Sequence, residues 1–323
     1  MRDTRDVLLI RSNEGDLEHC LNEEGVPIAP MFARSSFASN RARCLRDVAP
    51  GLFASIDYPF NPRLKRAGAD VLIVFDSSCT QGFLAWLVRH NPEKRIVLWY
   101  WNPPPARLDP KTIRRNPLLA GVELWSYSPR DCARHGLRRN TTFYVEQAFH
   151  GIAAKGDASN AEPEAMAVCA VFVGRDKGRI DALDRLKQLF AQAGCPLDLH
   201  IVADHPRRRL RSDRYRPPMA YRALLAREAR ARVIVDVYAD PEAGLSLRAM
   251  EALRLGRKLV TNNRLIVQEP FYRPRNVLVL GEGSNQGELR AFLDRPLQPL
   301  PSKLVRSYEA RAWLERFFDE GES

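Results

Sequence analysis

Several things are missing from this sequence, and each absence narrows what it can be. No stretch of the 323 residues approaches the roughly 20 apolar residues that a membrane-spanning helix needs. The opening MRDTRDVLLIRSNEGD holds too short an apolar run for a secretory signal, and its Val7 to Ile10 reads as a first strand. The six cysteines (Cys20, Cys44, Cys79, Cys132, Cys169, Cys195) are scattered and form no CxxC pair. That pattern predicts reduced core or near-core thiols in a cytoplasmic protein. The six histidines are scattered as well, and neither a ligand cluster nor an Asp-x-Asp motif emerges, so no metal is expected. There is no internal repeat.

What is present describes a soluble globular chain, 45% hydrophobic and 28% charged, long enough for two domains. Lys and Arg number 50 against 39 Asp and Glu, a formal net charge of +11 dominated by arginine. Solvated faces alone can account for that excess. The functional alternative is an anionic partner, either a sugar nucleotide or an acidic membrane surface. Nucleic acid fits less well, because Arg207-Arg208-Arg209 and Arg138-Arg139 have no aromatic residues interleaved.

Along the chain, strand-like and helix-like segments alternate. Asp70 to Phe75 is apolar on both faces, as a central parallel strand should be. A helix is predicted over Gln81 to His90, strands over Arg95 to Trp99, Val122 to Ser126 and Thr141 to Tyr144, and a helix over Pro129 to His135. The polar run AKGDASNAEPEA from Ala154 to Ala165 is the best linker. A second α/β unit then opens with a strand over Ala167 to Val173. A helix follows from Ile180 to Ala193, a strand over Leu199 to Val202, a helix over Ala220 to Glu228 and a strand over Asn276 to Leu280. A last helix runs from about Lys303 to Phe317. The expected domains are therefore 1–152, a linker 153–165, 166–301, and a C-terminal helix in 302–323.

Two stretches of the second unit carry chemistry. In Ala231 to Asn263, a β-branched strand (Arg232 to Val237) is broken by Asp240, Pro241 and Gly244. A helix from Leu245 to Leu255 follows, stopped by Gly256, and then a strand from Lys258 to Thr261. Gly244, Leu245 and Ser246 enter that helix, so its first turn, including Arg248, presents free N–H groups to an anion. In VFVGRDKGR, a strand ends at Gly174 and three cations follow at alternate positions. Arg175, Lys177 and Arg179 are equivalent candidates for a diphosphate, against the alternative of an ordinary solvated loop. Glu251 falls at helical spacing on a polar arc with Arg248 and Arg254, which predicts a surface pair with Arg248. Asn262 and Asn263 either line a cleft or form a turn.

Gly244, Leu245, Glu251, Ala252, Gly256 and Thr261 together resemble the nucleotide-binding half of a GT-B glycosyltransferase of the lipopolysaccharide and capsule biosynthesis type. That family often has two glutamates separated by seven residues. Counting back from Glu251 reaches Ala243, with Glu242 beside it. The resemblance implies an α/β protein of two Rossmann-like α/β/α domains facing across a cleft. It implies a basic residue after VFVG on the donor diphosphate, and Glu251 on the ribose hydroxyls.

The first domain would take the acceptor. Tyr100, Trp101 and Asn102 follow a buried strand, where an aromatic ring either stacks on a sugar or covers the core. Asp76 follows the other central strand, as a general base or as the cap of a turn. Asp57, His150 and Glu14 compete for the base. The expected activity is transfer of a sugar from a nucleotide-diphosphate donor to a glycan or lipid-linked acceptor, with no cofactor. The expected location is cytoplasmic, peripheral on the inner face of the membrane. A non-catalytic nucleotide-sugar or glycan-binding protein and a nucleotide-sugar epimerase are the alternatives on the same scaffold.

Overall fold

The computed structural model describes residues 6–12, 15–33, 60–152, 168–204, 212–281 and 283–318. The chain divides into two compact units: Met1–Thr141 with Trp313–Ser323, and Thr142–Ala312.

The first unit is built on a parallel sheet of β1 (Val7–Arg11), β2 (Ile28–Pro30), β3 (Val71–Phe75), β4 (Arg95–Tyr100), β5 (Glu123–Ser126) and β6 (Arg138–Arg139), in the order β2-β1-β3-β4-β5-β6. Every residue of β3 is buried, which is why its sequence is apolar on both faces. The helix Gln81–His90 starts where expected because the Thr80 side chain accepts from the Phe83 amide at 3.2 Å. The end of the chain completes this core. Trp313 lies edge-on to Trp99 with ring centroids 4.7 Å apart, and Phe317 is 4.8 Å from Trp125. Asn140 ties that segment down by donating to the Trp313 carbonyl at 3.0 Å.

The second unit holds β7 (Val168–Arg175), β8 (Leu197–Val202), β9 (Ala231–Asp236), β10 (Lys258–Thr261) and β11 (Val277–Val279), all parallel, in the order β11-β10-β9-β7-β8. The chain leaves β7 toward β8 and returns past it to β9. The direction of winding therefore reverses between β7 and β9. In an open parallel sheet, ligands bind at such a switch, beyond the C-terminal ends of the strands. The first unit has the same reversal between β1 and β3.

Three expectations change. Thr141 to Tyr144 is not a strand. Tyr144 makes an isolated bridge to Glu309, its amide donating to the Tyr308 carbonyl while its carbonyl accepts from Ala310. Those groups are what a continuous last helix would use internally, so the helix is broken into Ser302–Arg306 and Ala310–Glu315. The second unit begins at Thr142, ahead of the linker expected at 153–165, which lies outside the described residues. The cysteines are not all free thiols: Cys169 and Cys195 form a disulfide. β7 and the approach to β8 bring their Cα atoms to 5.3 Å, within bonding range, and a separation of 26 residues hides this in the sequence. Cys20, Cys79 and Cys132 are not disulfide-bonded, and Cys44 lies outside the described residues.

Candidate functional site

The switch between β7 and β9 is organised by a buried ion pair. Asp236 ends β9 and is 1% exposed. A lone carboxylate there would be costly, and two groups from the next helix meet it. Arg248 Nη1 donates to Oδ1 at 2.7 Å, and Ser246 Oγ donates to Oδ2 at 2.5 Å. Arg248 Nε also donates to the Val173 carbonyl of β7 at 2.8 Å, and its guanidinium lies 4.9 Å from the centroid of the Phe172 ring. Burial works against the charge on Arg248, but Asp236, then Glu251 and Glu228, outweigh it, and the group titrates above the usual arginine range. Gly174 is required by this arrangement. A Cβ there would sit 2.2 Å from Nη2 of Arg248 and 3.2 Å from the Phe172 ring.

The three candidate cations of the β7 loop divide. Arg179 is 7% exposed. Its guanidinium donates to the carbonyls of Val237 and Arg175, and to that of Asp176 at 3.0 Å, so it closes the loop. Arg175 and Lys177 are exposed. Lys177 takes a left-handed conformation with φ of 47°, which costs a non-glycine residue roughly 1–2 kcal/mol. The Asp204 carboxylate holds it there, accepting from the Lys177 amide at 2.9 Å. Surrounding protein, then Arg179 and Arg248, lower the pKa of the Lys177 ammonium. Across from this loop the helix Leu247–Leu255 begins. The Ser246 side chain caps the Ala249 amide at 3.4 Å, and the amides of Leu247 and Arg248 have no intrahelical acceptor. The C-terminal edge of the sheet thus carries an exposed loop with two cations, and the N-terminus of a helix.

Several expected site residues do other work. Asn262 is bonded to the backbone of Tyr238 in both directions, at 2.7 and 2.9 Å. Asn263 is fully buried, donating to the Ala243 carbonyl at 3.0 Å and accepting from the Leu265 amide at 2.9 Å. Both shape the loop that leads to Ser246. Leu245 is 5% exposed, its carbonyl accepting from the Thr142 hydroxyl at 2.7 Å; Gly244 is buried beside it.

Glu251 is 2% exposed and not on a solvated arc. That side of its helix is covered by the helix Tyr221–Ala229, which carries the fully buried Glu228. Burial raises the pKa of both acids, each acts on the other, and Arg248 partly opposes the shift of Glu251. Neither oxygen of Glu228 nor Oε2 of Glu251 meets a hydrogen-bond donor. The Tyr221 hydroxyl also lies against Glu251 and opposes its shift. The expected surface pair with Arg248 is replaced by the Asp236 pair, and Arg254 bonds Glu146 instead, with 2.5 Å between Nε and Oε2. A carboxyl so enclosed acts beneath the site, on Arg248; it does not present two oxygens to a ribose.

In the first unit, Asp76 is 2% exposed and both of its oxygens are engaged: Oδ1 by the Trp101 amide at 3.0 Å, Oδ2 by Asn102 Nδ2 at 3.1 Å. Burial raises its pKa, but its geometry is that of a turn former, not of a free base. Tyr100 is fully buried, its hydroxyl donating to the Leu108 carbonyl at 2.6 Å, so it stacks on no sugar. Trp101 is partly exposed and lies against Trp99, with Arg11 5.1 Å from its ring centroid. His150 is exposed; Asp57 and Glu14 lie outside the described residues. Sequence reasoning missed Asp236, Glu228 and Arg11. The signal for Asp236 was available: an acid inside the β-branched run VIVDV has to find a partner.

No protein-family model and no curated protein matches the sequence. Solved structures do match across nearly the whole chain. AviGT4, a glycosyltransferase involved in avilamycin A biosynthesis, is 14% identical over 97% of this chain and 96% of its own, with a TM-score of 0.57. A glycosyltransferase from Rickettsia africae is 12% identical over 97% and 88%, with a TM-score of 0.53. The sucrose-phosphate synthase of Thermosynechococcus elongatus is 14% identical over 97% and 97%, also at 0.53. With its two parallel-sheet Rossmann-like units, the chain has the GT-B fold.

The acid pair gives a pH signature. Folding raises the pKa of Glu228 and Glu251 above the ordinary 4.5, so the native state holds more protons than the unfolded state. Their contribution is fully present below that value and is lost as pH rises through the raised pKa values. Urea unfolding followed upward from about pH 5 should show wild-type stability falling, and the fall should shrink in Glu228→Gln. An identical slope in the variant would mean that no proton is held there.

Proposed function

We propose that this protein transfers a sugar from a nucleotide-diphosphate donor to a glycan or glycolipid acceptor in cell-surface polysaccharide biosynthesis. The observation that carries the proposal is the division of cations at the β7–β9 switch. Arg248 and Arg179 are engaged by Asp236 and by backbone carbonyls, while Arg175 and Lys177 stand exposed opposite the start of the helix Leu247–Leu255. A diphosphate carries the charge and the acceptor oxygens for that arrangement. In the transfer step, the bond between the anomeric carbon and the diphosphate oxygen breaks and the acceptor oxygen bonds to that carbon. The acceptor hydroxyl gives up its proton to solvent water. Negative charge grows on the leaving diphosphate, where the two exposed cations and the helix N-terminus would stabilise it. The likeness in fold to glycosyltransferases supports this reading.

Calorimetric titration with nucleoside diphosphates and their sugars tests it. Arg175→Ala or Lys177→Ala should weaken binding by about 1.5–3 kcal/mol, the range for charge-assisted hydrogen bonds. Arg179→Ala should act on stability through the loop it closes. Wild-type affinity in both Arg175→Ala and Lys177→Ala would contradict the proposal.

The net charge of +11, without a helix long and apolar enough to cross a membrane among the described residues, fits loose attachment to the anionic cytoplasmic face, where a lipid-linked acceptor is presented. Flotation with anionic vesicles should recover the protein at low salt and release it at high salt. Equal recovery with neutral vesicles at low salt would rule the attachment out.

A further inference from the structure

The helix Leu247–Leu255 starts at the β7–β9 switch, and its far end opens on a second feature. There the second unit contains a cavity of about 630 Å3, within the roughly 300–1,000 Å3 typical of small-molecule sites. Its wall is largely apolar, formed by Leu253, Leu259, Phe271, Val277 and Leu297. Ala249 and Ala252 leave room on the helix side. Leu259 stands near the start of β10 and Val277 opens β11, so the cavity lies at the N-terminal edge of the sheet. The strands separate it from the anion site at their other ends.

One charged group in this wall lacks a counter-ion. Arg257 lines the cavity; one terminal nitrogen donates to the Ala229 carbonyl, and its Nε is buried without a partner. Burial alone lowers its pKa, and no carboxylate offsets that. Two other inward-facing arginines of this unit differ: Arg248 has Asp236 and Arg254 has Glu146. A guanidinium has five donors in a planar fork that suits carboxylate or phosphate oxygens, and a half-buried cation without a counter-ion is costly. A smaller cavity of about 310 Å3 adjoins, sharing Arg254, Leu300, Ser302 and Val305. It is lined by both signs of charge, with Glu146 and Glu309 against Arg254 and Arg306. Selection for an anion therefore rests on Arg257.

We propose that this cavity binds a single-chain amphiphile with one anionic head group, its hydrocarbon against Leu253, Leu259, Phe271 and Leu297 and its head on Arg257. Carboxylate and phosphate heads share the required chemistry. The site is independent of the donor proposal, since neither its residues nor its edge of the sheet take part in nucleotide binding.

Displacement of dansyl-undecanoate from the full chain tests it, with laurate, dodecyl phosphate and dodecanol as competitors below their aggregation limits. Laurate or dodecyl phosphate should displace the probe saturably and at least about tenfold more tightly than dodecanol, as a charge-assisted bond requires. Whichever acid binds tighter identifies the head group. Arg257→Gln should bring the acids to the level of dodecanol while the thermal melt stays close to wild type. Should that variant not fold, Leu297→Trp, at a partly buried coil position, narrows the cavity and should weaken all three competitors. The proposal is overturned by an absence of saturable displacement, by dodecanol matching both acids in the wild type, by an anion preference that survives Arg257→Gln, or by undiminished binding in Leu297→Trp. Nucleotide titration of the same samples reads the donor site separately.

Discussion

The pairing of Arg248 with Asp236 is the constraint on which the second unit depends. It joins the ends of β7 and β9 to the start of the following helix, through Val173, Asp236 and Ser246. Removing one partner of such a buried pair typically costs about 3–5 kcal/mol, because the other charge is left unpaired. The pair also dictates sequence around it. Position 174 must lack a side chain for Arg248 to pass, and Phe172 supplies the ring beneath the guanidinium. Behind it, the Glu228 and Glu251 acids add negative charge that helps keep Arg248 ionised. Asp236 takes up Arg248, backbone carbonyls take up Arg179, and among the described residues of the β7 loop Arg175 and Lys177 remain exposed.

The first unit repeats the winding pattern and uses its switch differently. β1 ends in Arg11, whose guanidinium lies 5.0 Å from the Phe75 ring centroid and 5.1 Å from that of Trp101, and pairs with Glu18 at 2.5 Å. Asp76 holds the backbone turn that carries Trp101 and Asn102. Beneath them lies a layer of Phe75, Trp99 and Trp313. This edge is aromatic where the edge of the second unit is cationic. Two sheets of the same topology thus present different chemistry at equivalent positions, and that difference resides in the loops.

Fold was legible where local pattern and tertiary environment agree. The runs VLIVF and RIVLW read as buried strands because both faces are covered, and the Gln81–His90 helix was bounded by its Thr80 cap. The Leu247–Leu255 helix and its Gly256 stop were legible because Gly256 takes a left-handed conformation, with φ of 59°. Side-chain roles were less legible. Helical periodicity placed Glu251 on a polar arc, but periodicity cannot know that a second helix covers that arc. Arg175, Lys177 and Arg179 look alike in sequence; the carbonyls that single out Arg179 come from Val237, Arg175 and Asp176, and the first of these is on another strand's loop. The Cys169–Cys195 bond joins residues brought together only by strand pairing.

A crystal structure of the protein with a bound nucleoside diphosphate tests the division of cations most directly. Diphosphate oxygens should lie within about 3 Å of the Arg175 or Lys177 side chain and of the first-turn amides after Ser246, with Arg248 still bonded to Asp236. A structure in which Arg248 leaves Asp236 to grip the phosphates, while Arg175 and Lys177 stay in solvent, would contradict it.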